Sequence, residues 1–125
     1  MNNCGGNIIN VSSVGAFAPG KSLAVYGATK AFLNYYSRAL HKELDGSGIQ
    51  VQALCPGYTE TEFHLPLEQA GFDTSLIPQE WWMSASEVVS ASLDALGSGQ
   101  VLVVPGESNR DIARKALGKE LELIQ

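Results

Sequence analysis

The stretch Asn7-Ile8-Ile9-Asn10-Val11-Ser12, read with Ile49-Gln50-Val51-Gln52-Ala53-Leu54-Cys55-Pro56-Gly57 further on, decides the fold. Each is a short β-prone run ended by a loop or a turn. The first lies behind a Gly5-Gly6 turn, and the second stops at Pro56-Gly57. Between them, residues 13–22 form a loop punctuated by Gly15, Pro19 and Gly20. Residues 23–44 read as one long helix, with Phe32, Tyr35, Tyr36, Ala39, Leu40 and Leu44 at helical spacing. Gly46 and Gly48 follow as stop signals. A crossover of this length joins two parallel strands through a helix, and such crossovers are right-handed.

The pattern continues outward. From Tyr58 to Met83, Pro66, Gly71 and Pro78 break any long element. Ser84-Ala85-Ser86-Glu87 matches a capping box and opens a helix to about Leu96. Val101–Val104 is a third strand, apolar throughout, as suits a strand covered on both faces. Ser108-Asn109-Arg110-Asp111 resembles a second N-cap signal. The helix behind it carries Ile112, Ala116, Leu117, Leu121 and Ile124 along one face. Strand and helix alternate three times, which predicts an α/β fold: a parallel sheet with helices on both sides. Ligands of such sheets sit at the C-terminal ends of strands, here after Ser12 and after Cys55.

Composition narrows the function classes. The chain has 125 residues, 45% hydrophobic and 17% charged, as expected for one globular domain. Its net charge is −5, against the basic face that nucleic-acid binding needs. No run of apolar residues is long enough to span a membrane. Cys4 and Cys55 form no Cys-x-x-Cys pair and read as reduced thiols, which predicts a cytoplasmic protein. The two histidines, His41 and His64, have no neighbouring cysteine ligands, so no metal site is expected. A serine hydrolase is disfavoured because the chain lacks a Gly-x-Ser-x-Gly elbow. Glu60, Glu62, Glu68 and Glu80 read as a solvated loop rather than as acid/base pairs.

Three short motifs carry the candidate chemistry. Tyr26 and Lys30 stand at i and i+4, on one helix face. A tyrosine keeps its proton to a pH of about 10. A nearby ammonium favours the phenolate, so such a tyrosine can exchange a proton near neutral pH. Alone, the pair more often describes a surface aromatic beside a surface lysine. Ser13, at the end of the first strand, can donate a hydrogen bond into the cleft or simply cap a turn. Pro56-Gly57-Tyr58-Thr59-Glu60-Thr61 lets the backbone approach a ligand closely, or is an ordinary turn.

Taken together, Gly6-Asn7-Ile8-Ile9-Asn10-Val11-Ser12-Ser13, Tyr26-Gly27-Ala28-Thr29-Lys30-Ala31 and Pro56-Gly57-Tyr58-Thr59-Glu60-Thr61 resemble the short-chain dehydrogenase/reductase family. The order and spacing of elements agree from about Gly5 to Pro105. The resemblance implies the C-terminal half of a Rossmann-like, doubly wound domain. It implies reversible hydride transfer between NAD or NADP and a carbonyl/alcohol substrate, with the cofactor carrying the hard step. Ser13 would orient the substrate oxygen, Tyr26 would be the general acid/base, and Lys30 would assist Tyr26 and bind the nicotinamide ribose. Pro56 and Gly57 would form the turn beside the nicotinamide. Thr59 and Thr61 would hold the carboxamide or a phosphate.

The region Glu60–Met83 would be the substrate lid, with Phe63, Phe72, Trp81 and Trp82 lining a pocket or packing into the core. Helix 23–44 would form a homodimer interface, or its aromatic stripe would pack into its own subunit. The chain departs from what the resemblance implies: it is about half the family's length, it contains no Gly-rich pyrophosphate turn, and it lacks the residue that distinguishes NAD from NADP and the family's upstream active-site asparagine. Residues 1–125 are therefore expected to form a single truncated domain, the catalytic half without its nucleotide-binding half. The competing expectations are an inactive fragment acting as an interaction module, and an epimerase or dehydratase that shares Tyr-x-x-x-Lys.

Overall fold

The computed structural model describes residues 4–61 and 73–124. Strand β1 (Gly6–Val11) runs through a 3-10 turn (Val14–Ala16) into helix α1 (Ala24–Glu43). Strand β2 (Ile49–Leu54) leads to the two-residue strand β3 (Thr59–Glu60). After two further 3-10 turns come β4 (Met83–Ser84) and helix α2 (Ala85–Ala95). Strand β5 (Leu102–Val103) and helix α3 (Glu107–Glu122) complete the described chain. The main sheet is parallel, in the order β1-β2-β5. Register runs from Gly6 opposite Ile49 to Val11 opposite Leu54, and Leu54 lies opposite Val103.

The alternation of strand side chains puts two small cores on the two faces of β2. On one face Ala53 and Cys55 meet Phe17 and Ala113, with Leu102 and Ala116 alongside. On the other face Leu54 meets Val88 and Val103. The expected α/β architecture, with helices on both faces of a parallel sheet, is therefore observed. The paired strands β3 and β4 were not anticipated. Two residues each are too few for an alternating pattern to be seen in a sequence.

The start of α2 is as its residues dictate. Ser84 Oγ accepts from the Glu87 amide at 3.2 Å, and the Glu87 carboxylate accepts from the Ser84 amide at 2.8 Å. That reciprocal pair is a capping box, and losing a serine cap costs about 1 kcal/mol. The hydrogen bonds from Ser84 also hold the Glu87 carboxyl below its ordinary value. The contribution of Glu87 is thus present above that ordinary value and is lost as pH falls through the depressed one.

One expectation requires correction. Ser108 does not cap α3. The cap is Gly106 at φ +83°, a conformation that L side chains rarely adopt, and no side chain bonds there. The first turn is tied instead by Glu107, which accepts from Arg110 and Arg114, while Arg110 Nη1 donates to the Val104 carbonyl. The apolar face of α3 is only partly covered: Ile112 and Ala116 are half-buried, but Leu121 and Ile124 are exposed. The aromatic stripe of α1 does not enter its own core. Phe32 and Tyr35 are 65% and 75% exposed, and the helix buries Asn34 and Ser37 against the sheet.

Candidate functional site

The loops after β1 and β2 meet. The Val14 amide donates to the Pro56 carbonyl at 2.9 Å, so the turn at Pro56-Gly57 is fastened to the residue following Ser13. Ser13 lies two residues beyond β1 in extended backbone and caps the short turn: its buried Oγ accepts from the Gly15 amide at 3.0 Å. The capping role and the catalytic role expected of Ser13 are compatible, because a hydroxyl accepts and donates at once.

Tyr26 stands in the first turn of α1 and is 41% exposed. Gly15 links it to Ser13. A Cβ built on Gly15 would lie 3.3 Å from Ser13 Oγ and 3.3 Å from Tyr26 Cε1. The hydroxyl and the ring therefore flank one glycine, in space that a side chain would fill. Lys30, one turn on, carries its Nζ 5.8 Å from the centre of the Tyr26 ring. The same Nζ donates to the Val11 carbonyl at 3.0 Å, and the Lys30 carbonyl accepts from Ser12 Oγ at 3.0 Å. Both ends of Lys30 are thus fixed to the C-terminal end of β1. A fixed cation over an aromatic ring is a favourable arrangement where negative charge develops on that ring.

On the β2 side, Thr59 Oγ1 donates to the Gly57 carbonyl at 3.1 Å, and Thr59 pairs with Met83 in the small sheet. Thr61 is exposed just beyond β3. The Tyr58 ring stacks on Trp81 at 6.4 Å and leans on Trp82 at 5.5 Å. Of the expected lid, Trp81 and Trp82 are half-buried beside this turn, and Glu60 and Glu80 are exposed. Phe63, His64, Pro66, Glu62, Glu68, Gly71 and Phe72 lie outside the described residues. An open groove runs from Gly15 past Phe17 and Leu23 to Ile112, Ala116 and Lys119 of α3.

Cys55 is no nucleophile. It is buried, its thiol donates to Asn34 Oδ1 at 3.3 Å, and burial pushes its pKa up to about 11. Both cysteines are free thiols. Among the described residues no group of His, Cys, Asp or Glu could hold a metal ion, and no helix is long and apolar enough to cross a membrane. One residue at the site went unread in the sequence. Asn109 lies against Gly57, although its only sequence signal was a mistaken cap motif.

The chain is similar to known proteins in sequence and in fold. The family model for short chain dehydrogenase matches residues 1–70 of this chain. Serine 3-dehydrogenase of Rhizobium radiobacter is 48% identical over 60 residues, covering 48% of this chain and 24% of that protein. Very-long-chain 3-oxoacyl-CoA reductase of Anas platyrhynchos is 44% identical over 57 residues, covering 46% of this chain and 18% of that protein. A short-chain dehydrogenase from Sphingobium yanoikuyae in complex with NADPH superposes with a TM-score of 0.69 at 34% identity, over 95% of this chain and 45% of that one. One from Burkholderia cenocepacia in complex with NADP gives a TM-score of 0.73 at 28% identity, over 95% of this chain and 46% of that one. The chain spans about a quarter or less of these curated relatives and less than half of these solved ones.

Proposed function

Because this chain belongs to the short chain dehydrogenase family, we propose that it supplies the proton-transfer half of a nicotinamide-dependent oxidoreductase acting on a carbonyl or alcohol. The observation that carries this reading is the convergence at Gly15. Ser13 Oγ and the Tyr26 ring both border it, with Lys30 locked over that ring.

In the reductive direction, the Ser13 hydroxyl donates a hydrogen bond to the substrate oxygen and holds it toward Tyr26. The Tyr26 phenol gives its proton to that oxygen as the carbonyl becomes an alcohol, and solvent returns a proton to Tyr26. The Lys30 ammonium stabilises the charge left on Tyr26 during the transfer. Oxidation runs the same steps backwards, with Tyr26 as base. NAD or NADP, when bound, supplies or accepts the hydride at the substrate carbon. The polar groups present fit the nicotinamide end of such a cofactor: the Lys30 ammonium suits a ribose hydroxyl, the Pro56 carbonyl can only accept, and the backbone of Gly57 and Thr59 with the Thr61 hydroxyl suits a carboxamide or phosphate. The groove from Gly15 to α3 gives an apolar part of the substrate a place to lie.

Two features support reading these residues as half of a working unit. Ile8, Ile9 and Val11 of β1 remain exposed, and in the described sheet β1 pairs on one side only, with β2. A parallel sheet is normally covered on both faces, so β1 suits a place inside a wider sheet that includes the nucleotide-binding half. The interaction-module reading rests on the same open edge, and the two are separated by cofactor binding. Titrated with NADPH or NADH, the full chain should quench or enhance cofactor fluorescence saturably, and Lys30→Ala should weaken binding about tenfold. A wild-type chain that shows no saturable signal with either nucleotide would overturn the nicotinamide reading.

The outward stripe of α1 supports a homodimer. Phe32 and Tyr36 stack at 5.9 Å, and with Val25 and Tyr35 they leave an apolar surface in solvent. Sedimentation of the chain should give the mass of a dimer, and Tyr35→Glu should return it to a monomer. A wild-type monomer at micromolar concentration would remove α1 as the interface.

A further inference from the structure

Asn109 sits in the first turn of α3 and is only 2% exposed. Its Nδ2 donates to the Pro105 carbonyl at 2.8 Å and lies 3.9 Å from Met83 Sδ. Its Oδ1 is buried, and among the described residues it finds no hydrogen-bond donor. A buried amide oxygen left this way has a cost, so something else fixes its position. The oxygen is pressed onto Gly57: a Cβ there would fall 2.1 Å from Oδ1 and 2.6 Å from the Asn109 side-chain carbon. Only a glycine fits against this amide. Gly106 completes the enclosure, since a Cβ on it would meet Met83 Sδ at 2.9 Å and Asn109 Nδ2 at 3.3 Å.

We propose that Asn109 is the positioning residue for the Pro56-Gly57-Tyr58 turn. It is anchored from behind by Pro105 and acts as a fixed wall against which Gly57 closes. The turn in turn carries Tyr58 onto Trp81 and Trp82, and the Tyr58 carbonyl accepts from the Met83 amide at 3.0 Å. Helix α3 thereby sets the loop that also holds Val14, next to Ser13. That this loop faces a nicotinamide rests on the function proposed above. That Asn109 shapes the loop does not.

The test uses Trp81 and Trp82 as reporters, since both lie beside Tyr58. In the full chain without cofactor, Asn109→Ala should change the near-UV circular dichroism while the far-UV signal stays native. Gly57→Ala should do the same, because its methyl collides with the wall. Gly57→Ala combined with Asn109→Gly should recover much of the wild-type near-UV signal, because the wall is gone. If a single variant does not fold, recovery of folding in the double variant supports the same contact. A native near-UV signal in Asn109→Ala, or simple addition of the two defects in the double variant, overturns the proposal. Where wild type binds NADPH or NADH, Asn109→Ala should bind it about tenfold more weakly. Unchanged binding alongside an altered tryptophan signal overturns the role of Asn109 on the cofactor side. A wild-type chain that binds neither nucleotide counts against the function proposed above, and the tryptophan arm still decides for or against Asn109.

Discussion

Tyr26→Phe should lower the rate of NADPH- or NADH-dependent carbonyl reduction by on the order of 10²–10⁴-fold while leaving the chain folded. The substitution removes one oxygen from a ring that is 41% exposed, so little packing is lost. What disappears is the phenolic proton donor of the ring that borders Gly15 beside Ser13. Lys30→Ala should also slow the reaction, through a different fault. Its Nζ leaves the Tyr26 ring without its cation and leaves the Val11 carbonyl without its donor. Lys30→Ala should therefore raise KM for the cofactor as well as lower kcat, whereas Tyr26→Phe should act mainly on kcat. Initial rates of cofactor oxidation, at saturating and limiting nucleotide, separate the two. A Tyr26→Phe rate indistinguishable from wild type would remove Tyr26 from the acid/base role. An effect confined to KM would leave it as a binding group only.

Much of this site was legible in the sequence because its parts are local. Tyr26 and Lys30 are one helical turn apart, and Ser13 lies just beyond the strand that precedes their helix. The capping box Ser84–Glu87 was legible for the same reason: its four residues contain the whole interaction. What the sequence hid depends on partners far along the chain. The pattern Ile49-Gln50-Val51-Gln52 looks like a strand with one wet face, yet Gln52 is among the most buried residues. Its partner, Ser92, is 40 positions away. Asn109 looked like a cap because asparagine favours that position, while the approach of Gly57 from β2 is invisible locally. Helix α1 shows the same limit. Its aromatic stripe has helical spacing, but spacing does not say which face meets the sheet. Asn10 Nδ2 donates to Ser37 Oγ at 3.0 Å and the Cys55 thiol donates to Asn34, so polar groups face inward and the rings face out.

That polar layer makes the second large effect one of stability. Gln52→Ala should destabilise the fold by about 3 kcal/mol. Gln52 Nε2 donates to the Ser92 carbonyl at 3.0 Å, and Ser92 Oγ donates back to Gln52 Oε1 at 2.5 Å. Ser92 lies in the last turn of α2, where carbonyls run out of helical partners. The Leu96 amide, which would serve Ser92 in a longer helix, donates to Leu93 instead. Gln52 therefore closes the end of α2 from the central strand, on the same strand face as Leu54, which meets Val88 and Val103. Removing it empties a side-chain volume and strands both the hydroxyl and the carbonyl of Ser92. Ser92→Ala removes only the hydroxyl and leaves the carbonyl bonded, so its cost should be smaller, about 1–2 kcal/mol. The order of the two, read from urea midpoints at equal slope, is the sharper test. With a total stability of about 5–15 kcal/mol for a domain, the Gln52→Ala loss should move the midpoint plainly. Equal costs for the two substitutions, or a Gln52→Ala midpoint at the wild-type value, would show that the end of α2 is held by the apolar contacts of Val88 alone.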